Sequence, residues 1–260
     1  MSRIIAVANQ KGGVGKTTTV INLSASLAEQ GQRVLMVDLD PQGNASSGLG
    51  IEKDRTPATV YDLILGNCRI EDCIFQSVMP GVHVIPSTVH LAGAEVELIG
   101  TSDSQYRIRQ ALAGIRDRYD FILMDCPPSL NILTVNAMTA ADSVLVPIQC
   151  EYYALEGLSQ LMYTISLVQK SLNPSLGIEG VVFTMYDART NLSLQVVENV
   201  KQNLRQRIYR TIIPRNVRLA EAPSHGLPIN LYDPRSSGAD SYRRLAQEVI
   251  QSSGAQKTDD

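Results

Sequence analysis

The segment Gln10-Lys11-Gly12-Gly13-Val14-Gly15-Lys16-Thr17-Thr18 holds the residue types that bind phosphate. Gly12, Gly13 and Gly15 let backbone N–H groups curl around an anion with no Cβ in the way. An apolar run precedes the segment and a helical pattern follows it, so the positive end of a helix adds to the same site. Lys16 can neutralise the outer phosphates of a nucleotide, and the Thr17 hydroxyl is a ligand type that Mg²⁺ accepts beside a phosphate. The general phosphate-loop pattern has glycine where this chain has Gln10, and Lys11 is added at the second position. Loop turning alone does not explain that second lysine. It is a long cation at the mouth of the site, able to contact its own nucleotide or one held by a partner subunit.

Three acids complete the constellation. Val37-Asp38-Leu39-Asp40-Pro41-Gln42-Gly43 closes one apolar run, and Phe121-Ile122-Leu123-Met124-Asp125-Cys126-Pro127-Pro128 closes another. Ligands of parallel α/β sheets sit at the carboxyl ends of the strands, which places Asp38, Asp40 and Asp125 near the phosphates. A carboxylate on a rigid strand tip suits a Mg²⁺ ion and its waters. Asp38 and Asp40 are two apart and share a face in strict strand geometry. One can serve the metal's water while the other orients or deprotonates an attacking water.

The elements that must position these groups read as strands buried on both faces: Ile4–Asn9, Arg33–Asp38, His83–Pro86, Phe121–Asp125, Ser143–Pro147, Gly180–Met185 and Tyr209–Ile213. Helical patterns alternate with them at Thr17–Gln30, Ser104–Arg118, Leu130–Ala140, Glu156–Ser171, Leu194–Gln206 and Ala239–Gln251, with a surface helix at Leu91–Leu98. Such alternation implies one α/β domain of three layers, a mostly parallel twisted sheet flanked by helices. We expect that domain over residues 1–251 and a flexible polar tail over 252–260, with Gly43–Val82 the least regular stretch.

Composition narrows the class. The 260 residues are 44% hydrophobic and 19% charged, those of a globular chain with enough length for its own core. No run approaches the ~20 apolar residues of a membrane span and no signal peptide is visible, which points to a reducing, cytoplasmic setting. Cys126 and Cys150 adjoin apolar runs and read as buried thiols. His83, His90 and His225 have no metal-ligand spacing, and Tyr152-Tyr153 reads as packing at a strand exit.

Further motifs carry a resemblance. Lys11-Gly12-Gly13-Val14-Gly15-Lys16-Thr17-Thr18 resembles the deviant Walker A motif of the ParA/MinD ATPases. Asp38-Leu39-Asp40-Pro41-Gln42-Gly43-Asn44 resembles their switch I, and Asp125-Cys126-Pro127-Pro128-Ser129 their Walker B and switch II. Gln149–Gly157, Asp187–Asn191, Ile213–Arg218 and Glu221–Gly226 are similar to the chromosomal ParA, or Soj, branch, and the likeness spans roughly residues 2–250. It implies a deviant P-loop ATPase using ATP and Mg²⁺, in which ATP drives a sandwich homodimer. Lys11 would contact the partner's nucleotide, and Gly12 would lie at a close dimer contact. Lys16 would bind the outer phosphates and Thr17 the Mg²⁺. Asp40 would position the hydrolytic water while Asp38 and Asp125 support the metal. The adenine would lie near Met185, Pro214 and Asn216. The dimer would bind DNA without sequence preference, and a ParB-type centromere-binding protein would stimulate slow hydrolysis. A nucleoid location follows.

The charge distribution bears on DNA. From Arg189 to Arg218 stand seven basic residues, six of them Arg, against the single acid Glu198. That surplus of six leaves −9 for the remainder of a chain whose total is −3. A local basic patch is the footprint of phosphate-backbone binding, and Arg suits bidentate phosphate contacts. Arg189, Arg215 and Arg218 are the candidate DNA contacts. No helix-turn-helix precedes the loop, so contacts should be mainly to phosphates. The rival readings are a MinD-like membrane-surface ATPase, which needs an amphipathic C-terminal helix, an iron–sulfur ATPase, which needs bridging or paired cysteines, and a metabolic P-loop kinase or amide-forming synthetase. The residues after Gln251 lack an apolar anchor, and Cys68-x4-Cys73 is not cluster spacing.

Overall fold

The computed structural model describes residues 2–255 except Tyr152, Tyr153 and Arg205. The packing expected of Tyr152-Tyr153, one arginine of the basic segment and the tail from residue 256 onward therefore lie outside the described residues.

Eight strands form one sheet: β1 Arg3–Val7, β2 Val34–Asp38, β3 Phe75–Gln76, β4 Val82–Ile85, β5 Phe121–Asp125, β6 Ser143–Gln149, β7 Gly177–Tyr186 and β8 Ile208–Pro214. Their order is β3-β4-β2-β5-β1-β6-β7-β8, and every pairing is parallel except the short edge pair β3–β4. The seven expected strands are all present; β3 was not anticipated. β1, β2 and β5 form the centre of the sheet, and β2 and β5 are buried throughout. Continuous Val, Ile, Leu and Met runs suit strands covered on both faces.

Alternation then sorts the core into two. Ile4, Ala6 and Ala8 pack on one face with α3 Val60–Leu65, α4 Leu91–Glu97, α5 Arg107–Ala113, α6 Ile132–Ala140, α7 Ala154–Ser171 and α8 Asn191–Asn203. Ile5 and Val7 pack on the other with α1 Lys16–Glu29, α2 Asn44–Gly48, α9 Val217–Glu221, α10 Ile229–Tyr232 and α11 Ser237–Ala255. The result is the three-layer α/β architecture that strand–helix alternation implies.

Some boundaries move for identifiable reasons. The single helix expected over Ser104–Arg118 is a 3-10 turn, then α5, then a second 3-10 turn after Gly114. Thr190 accepts a hydrogen bond from Ser193 N and starts α8 three residues earlier than the apolar pattern does. α11 continues to Ala255, past the expected start of the tail, and Ser252 Oγ donates to Val249 O at 2.7 Å while receiving Arg3. The stretch Gly43–Val82 holds α2, α3, two 3-10 turns and β3.

Candidate active site

The loop between β1 and α1 is shaped by two glycines in the left-handed region, Gly13 at φ 75° and Gly15 at φ 86°. Gly15 is the N-cap of α1, no side chain caps that end, and no acid stands in its first turn. The first amides of α1 are therefore open to an anion. Asn9 holds the start of the loop: its Oδ1 accepts Lys11 N at 3.0 Å and its Nδ2 donates to Pro147 O at 2.8 Å. Thr184 Oγ1 of β7 donates to Val14 O at 2.8 Å and ties the far side. Val14 is buried, and Thr17 and Thr18 are half-buried at the start of α1.

The two lysines have different surroundings. Lys16 is buried and folds back over the loop, its Nζ donating to Lys11 O at 3.0 Å. Burial lowers its pKa, opposed chiefly by the charge of Asp125. Lys11 turns away and pairs with Glu151, Nζ to Oε2 2.6 Å. Gly12 is exposed, its φ is not in the left-handed region, and a Cβ there would meet nothing within 4 Å among the described residues. Nothing described within the chain requires glycine at that position.

Register brings the acids together, since Asp38 and Asp125 are paired partners on adjacent strands. Asp125 is fully buried, and neither carboxylate oxygen has a hydrogen-bond partner among the described residues. Burial first, and then the negative charge of Asp38, push its carboxyl well above the usual carboxylate range; the nearby Thr17 hydroxyl and Lys16 act in the opposite sense. A buried carboxylate without a partner, set beside a threonine hydroxyl and open helix amides, fits Mg²⁺, which takes few protein ligands and keeps its waters and phosphate oxygens. No group of three or more His, Cys, Asp or Glu able to hold a metal occurs among the described residues. Thr17 and Asp125 are thus the groups that could hold such an ion.

Asp38 has other partners. Its Oδ2 accepts both Ser46 N at 2.8 Å and Ser46 Oγ at 2.7 Å, and its Oδ1 accepts Asp40 N at 3.2 Å. Burial still pushes its pKa to about 6. These bonds fix Asp38 in the β2–α2 turn, at the strand end beside Asp125. β2 ends at Asp38, so strand alternation does not extend to Asp40, which is half-buried and accepts Gln42 N at 2.9 Å. Gly43, at φ 63°, lets the turn close.

Beside the loop lies a largely apolar cavity of about 270 Å³ lined by Gly15, Thr18, Thr184, Met185, Pro214 and Asn216 among others. The three residues expected at the base site are brought together there. Met185 has φ 50°, an uncommon backbone for a non-glycine residue. Asn216 caps α9 by accepting Arg218 N at 2.8 Å, and its Nδ2 donates to Ser237 Oγ at 2.9 Å.

The basic surface is more compensated than charge counting indicates. Arg189 is 86% exposed at its side chain yet forms a fork to Asp187, at 2.9 Å and 2.7 Å. Arg218 pairs with Glu221 at 2.9 Å and lies 3.6 Å from Asp233. Asp187 and Glu221 lie just outside the counted segment, and Asp233 lies farther along the chain. Arg215 is exposed, and the charge of its side chain also acts on Asp187. Sequence reasoning also missed Asn9, Ser46, Glu151 and Thr184 as site residues; Glu151 alone lay within a quoted motif.

The sequence matches the AAA domain family over residues 2–178. It is 59% identical to the sporulation initiation inhibitor protein Soj of Bacillus subtilis over 249 residues, covering 96% of this chain and 98% of that protein. It is 54% identical to the chromosome partitioning protein ParA of Caulobacter vibrioides, covering 95% and 94%. Among solved structures, one described as cobyrinic acid a,c-diamide synthase from Mycobacterium smegmatis with bound ADP and magnesium matches with TM-score 0.87 and 38% identity, covering 98% of this chain and 97% of that one. The cell division ATPase MinD of Pyrococcus furiosus matches with TM-score 0.80 and 29% identity, covering 96% and 99%. The chain belongs to the ParA/MinD family of P-loop ATPases, in the Soj/ParA chromosome-partitioning group.

Proposed function

We propose that this ATPase is a nucleotide-switched DNA binder that acts in chromosome partitioning with a ParB-type partner. The observation that carries the reading is the loop's division of labour. Lys16 is buried within its own phosphate site, whereas Lys11 faces outward beside Gly12, whose small size serves no described contact of its own chain. A residue pair of that kind suits a second copy lying across the nucleotide.

In this reading the loop amides and Lys16 hold the outer phosphates of ATP. Thr17 and Asp125 hold Mg²⁺, which when bound neutralises phosphate charge and fixes its geometry. The walls formed by Met185, Pro214 and Asn216 receive the adenine. Asp40 orients the attacking water and draws its proton, and Asp38 keeps Asp40 in place through the turn. Lys11 exchanges Glu151 for the nucleotide of the partner subunit. Pairing two copies doubles the basic surface around Arg189, Arg215 and Arg218, so DNA is held by the dimer and released after hydrolysis. A nucleoid location follows from the DNA contact. The domain that does this runs through α11. Among the described residues no helix is long and apolar enough to cross a membrane.

Asp40→Ala should retain ATP binding and the ATP-dependent dimer while phosphate release falls by about 100-fold or more. Normal turnover in that variant would remove Asp40 from the mechanism. An amide-forming synthetase is a second reading, supported by the name of the 38%-identical Mycobacterium smegmatis protein. It gives the arginine-rich surface no use, and the relatives at 54% and 59% identity carry partitioning names.

A further inference from the structure

Away from the nucleotide site, the turn after α3 brings two thiols into contact. Gly66, at φ 78°, ends α3, and the chain doubles back through Arg69 into the 3-10 turn Ile70–Cys73. Cys68 Sγ then lies 3.0 Å from Cys73 Sγ. The placement is built by capping. Asp62 accepts Thr59 N at 2.8 Å, Asp72 accepts Arg69 N at 3.2 Å, and Cys73 Sγ donates toward Thr59 O at 3.5 Å. Cys73 is fully buried, whereas Cys68 is half-buried and reaches solvent. Cys126 and Cys150 are buried free thiols.

We propose that Cys68 and Cys73 form a reversible intramolecular disulfide on exposure to peroxide, with Cys68 attacking and Cys73 resolving. An accessible thiol touching a sheltered one is the arrangement of oxidisable cysteine pairs. Cys73 is sheltered from solvent whereas Cys68 reaches it, so the first encounter falls to Cys68; burial, and then the contact with Cys68 itself, also hold the Cys73 thiol protonated well above its ordinary range. The Cys68 thiolate attacks one peroxide oxygen, the O–O bond breaks, and water leaves once a proton is taken up. Cys73 sulfur then displaces the oxygen from the Cys68 sulfenic acid, forming the S–S bond and releasing a second water. Two thiols and one hydrogen peroxide give one disulfide and two waters. The bond would tie the end of α3 to the approach to edge strand β3.

Arg69 between the two cysteines supplies the test. Trypsin separates Thr56–Arg69 from Ile70–Arg107, and each peptide has one cysteine. The full-length chain is treated with hydrogen peroxide, remaining thiols are alkylated, and the digest is weighed without reductant. The two peptides are expected as one linked species, about 2 Da lighter than their sum and separated again by dithiothreitol. The parent chain should stay monomeric on a non-reducing gel. Cys68→Ser should leave Cys73 unoxidised, and Cys73→Ser should let Cys68 advance to sulfinic acid at the same dose. Two separately alkylated peptides, a sulfinic acid at Cys68 in the wild type, or linkage only between chains would each overturn the proposal.

Discussion

A buried carboxylate at a strand end is held at a cost, and Asp125 stands in that position with no hydrogen bond of ordinary geometry among the described residues. Its raised pKa means that the ligand-free folded state binds the proton more tightly than the unfolded chain does. The associated stability is present at low pH and is lost as pH rises from the ordinary carboxylate range through the folded value; Asp38, at about 6, contributes in the same direction. Asp125→Asn should therefore leave the ligand-free protein at least as heat-stable as wild type at about pH 7.5, with a flatter decline from about pH 5. It should also lose most of the rise in Tm on adding Mg²⁺ and ATP. A large loss of ligand-free stability at neutral pH would show that Asp125 supports the fold instead. Gly12→Val makes a complementary case. It should change stability by less than about 1 kcal/mol and spare ATP binding, because the described chain leaves that position open. Light scattering should find no ATP-dependent dimer, and a dimer would contradict the close contact. Lys16 and Asp125 were legible because their motifs are contiguous. Asn9 and Thr184 were not, because their partners Pro147 and Val14 lie 138 and 170 residues away along the chain.

Among the elements, those buried on both faces were readable from the apolar pattern alone, and Phe121–Asp125 keeps its expected ends. The end of α1 was equally legible, falling at Glu29 against the expected Gln30. Gly31 adopts φ 81°, with Gly31 N donating to Ala28 O and Gln32 N to Leu27 O. The elements within Gly43–Val82 were not legible. They are short, and their order comes from caps and distant partners, as when Ser46 Oγ receives Ser87 N at 3.0 Å while donating to Asp38. This turn carries Asp40, the residue proposed to orient the attacking water. A Cβ on Gly43 would stand 2.6 Å from Ser87 O, a backbone atom, and the residue's φ is left-handed. Gly43→Ala should cost about 2–4 kcal/mol in urea denaturation and slow turnover by moving Asp40. An unchanged denaturation midpoint would mean that the turn adapts freely.

Across the whole molecule, a net charge of −3 is the sum of a surplus of six basic charges between Arg189 and Arg218 and −9 in the remainder. Folding moderates that contrast, because Asp187 and Glu221 pair with Arg189 and Arg218, two of the three arginines expected to contact DNA. Arg189 holds the Asp187 carboxyl well below its usual range. A single copy so compensated should hold DNA weakly; two faces joined in one dimer should hold it, with steep dependence on salt. The most direct test is co-sedimentation with double-stranded DNA in Mg²⁺ alone, with ADP and with ATP, using wild type, Lys16→Ala and Asp40→Ala. The account predicts retention of wild type and Asp40→Ala only with ATP, and no retention of Lys16→Ala under any condition. Equal retention of wild type without nucleotide, or ATP-dependent retention of Lys16→Ala, would contradict it.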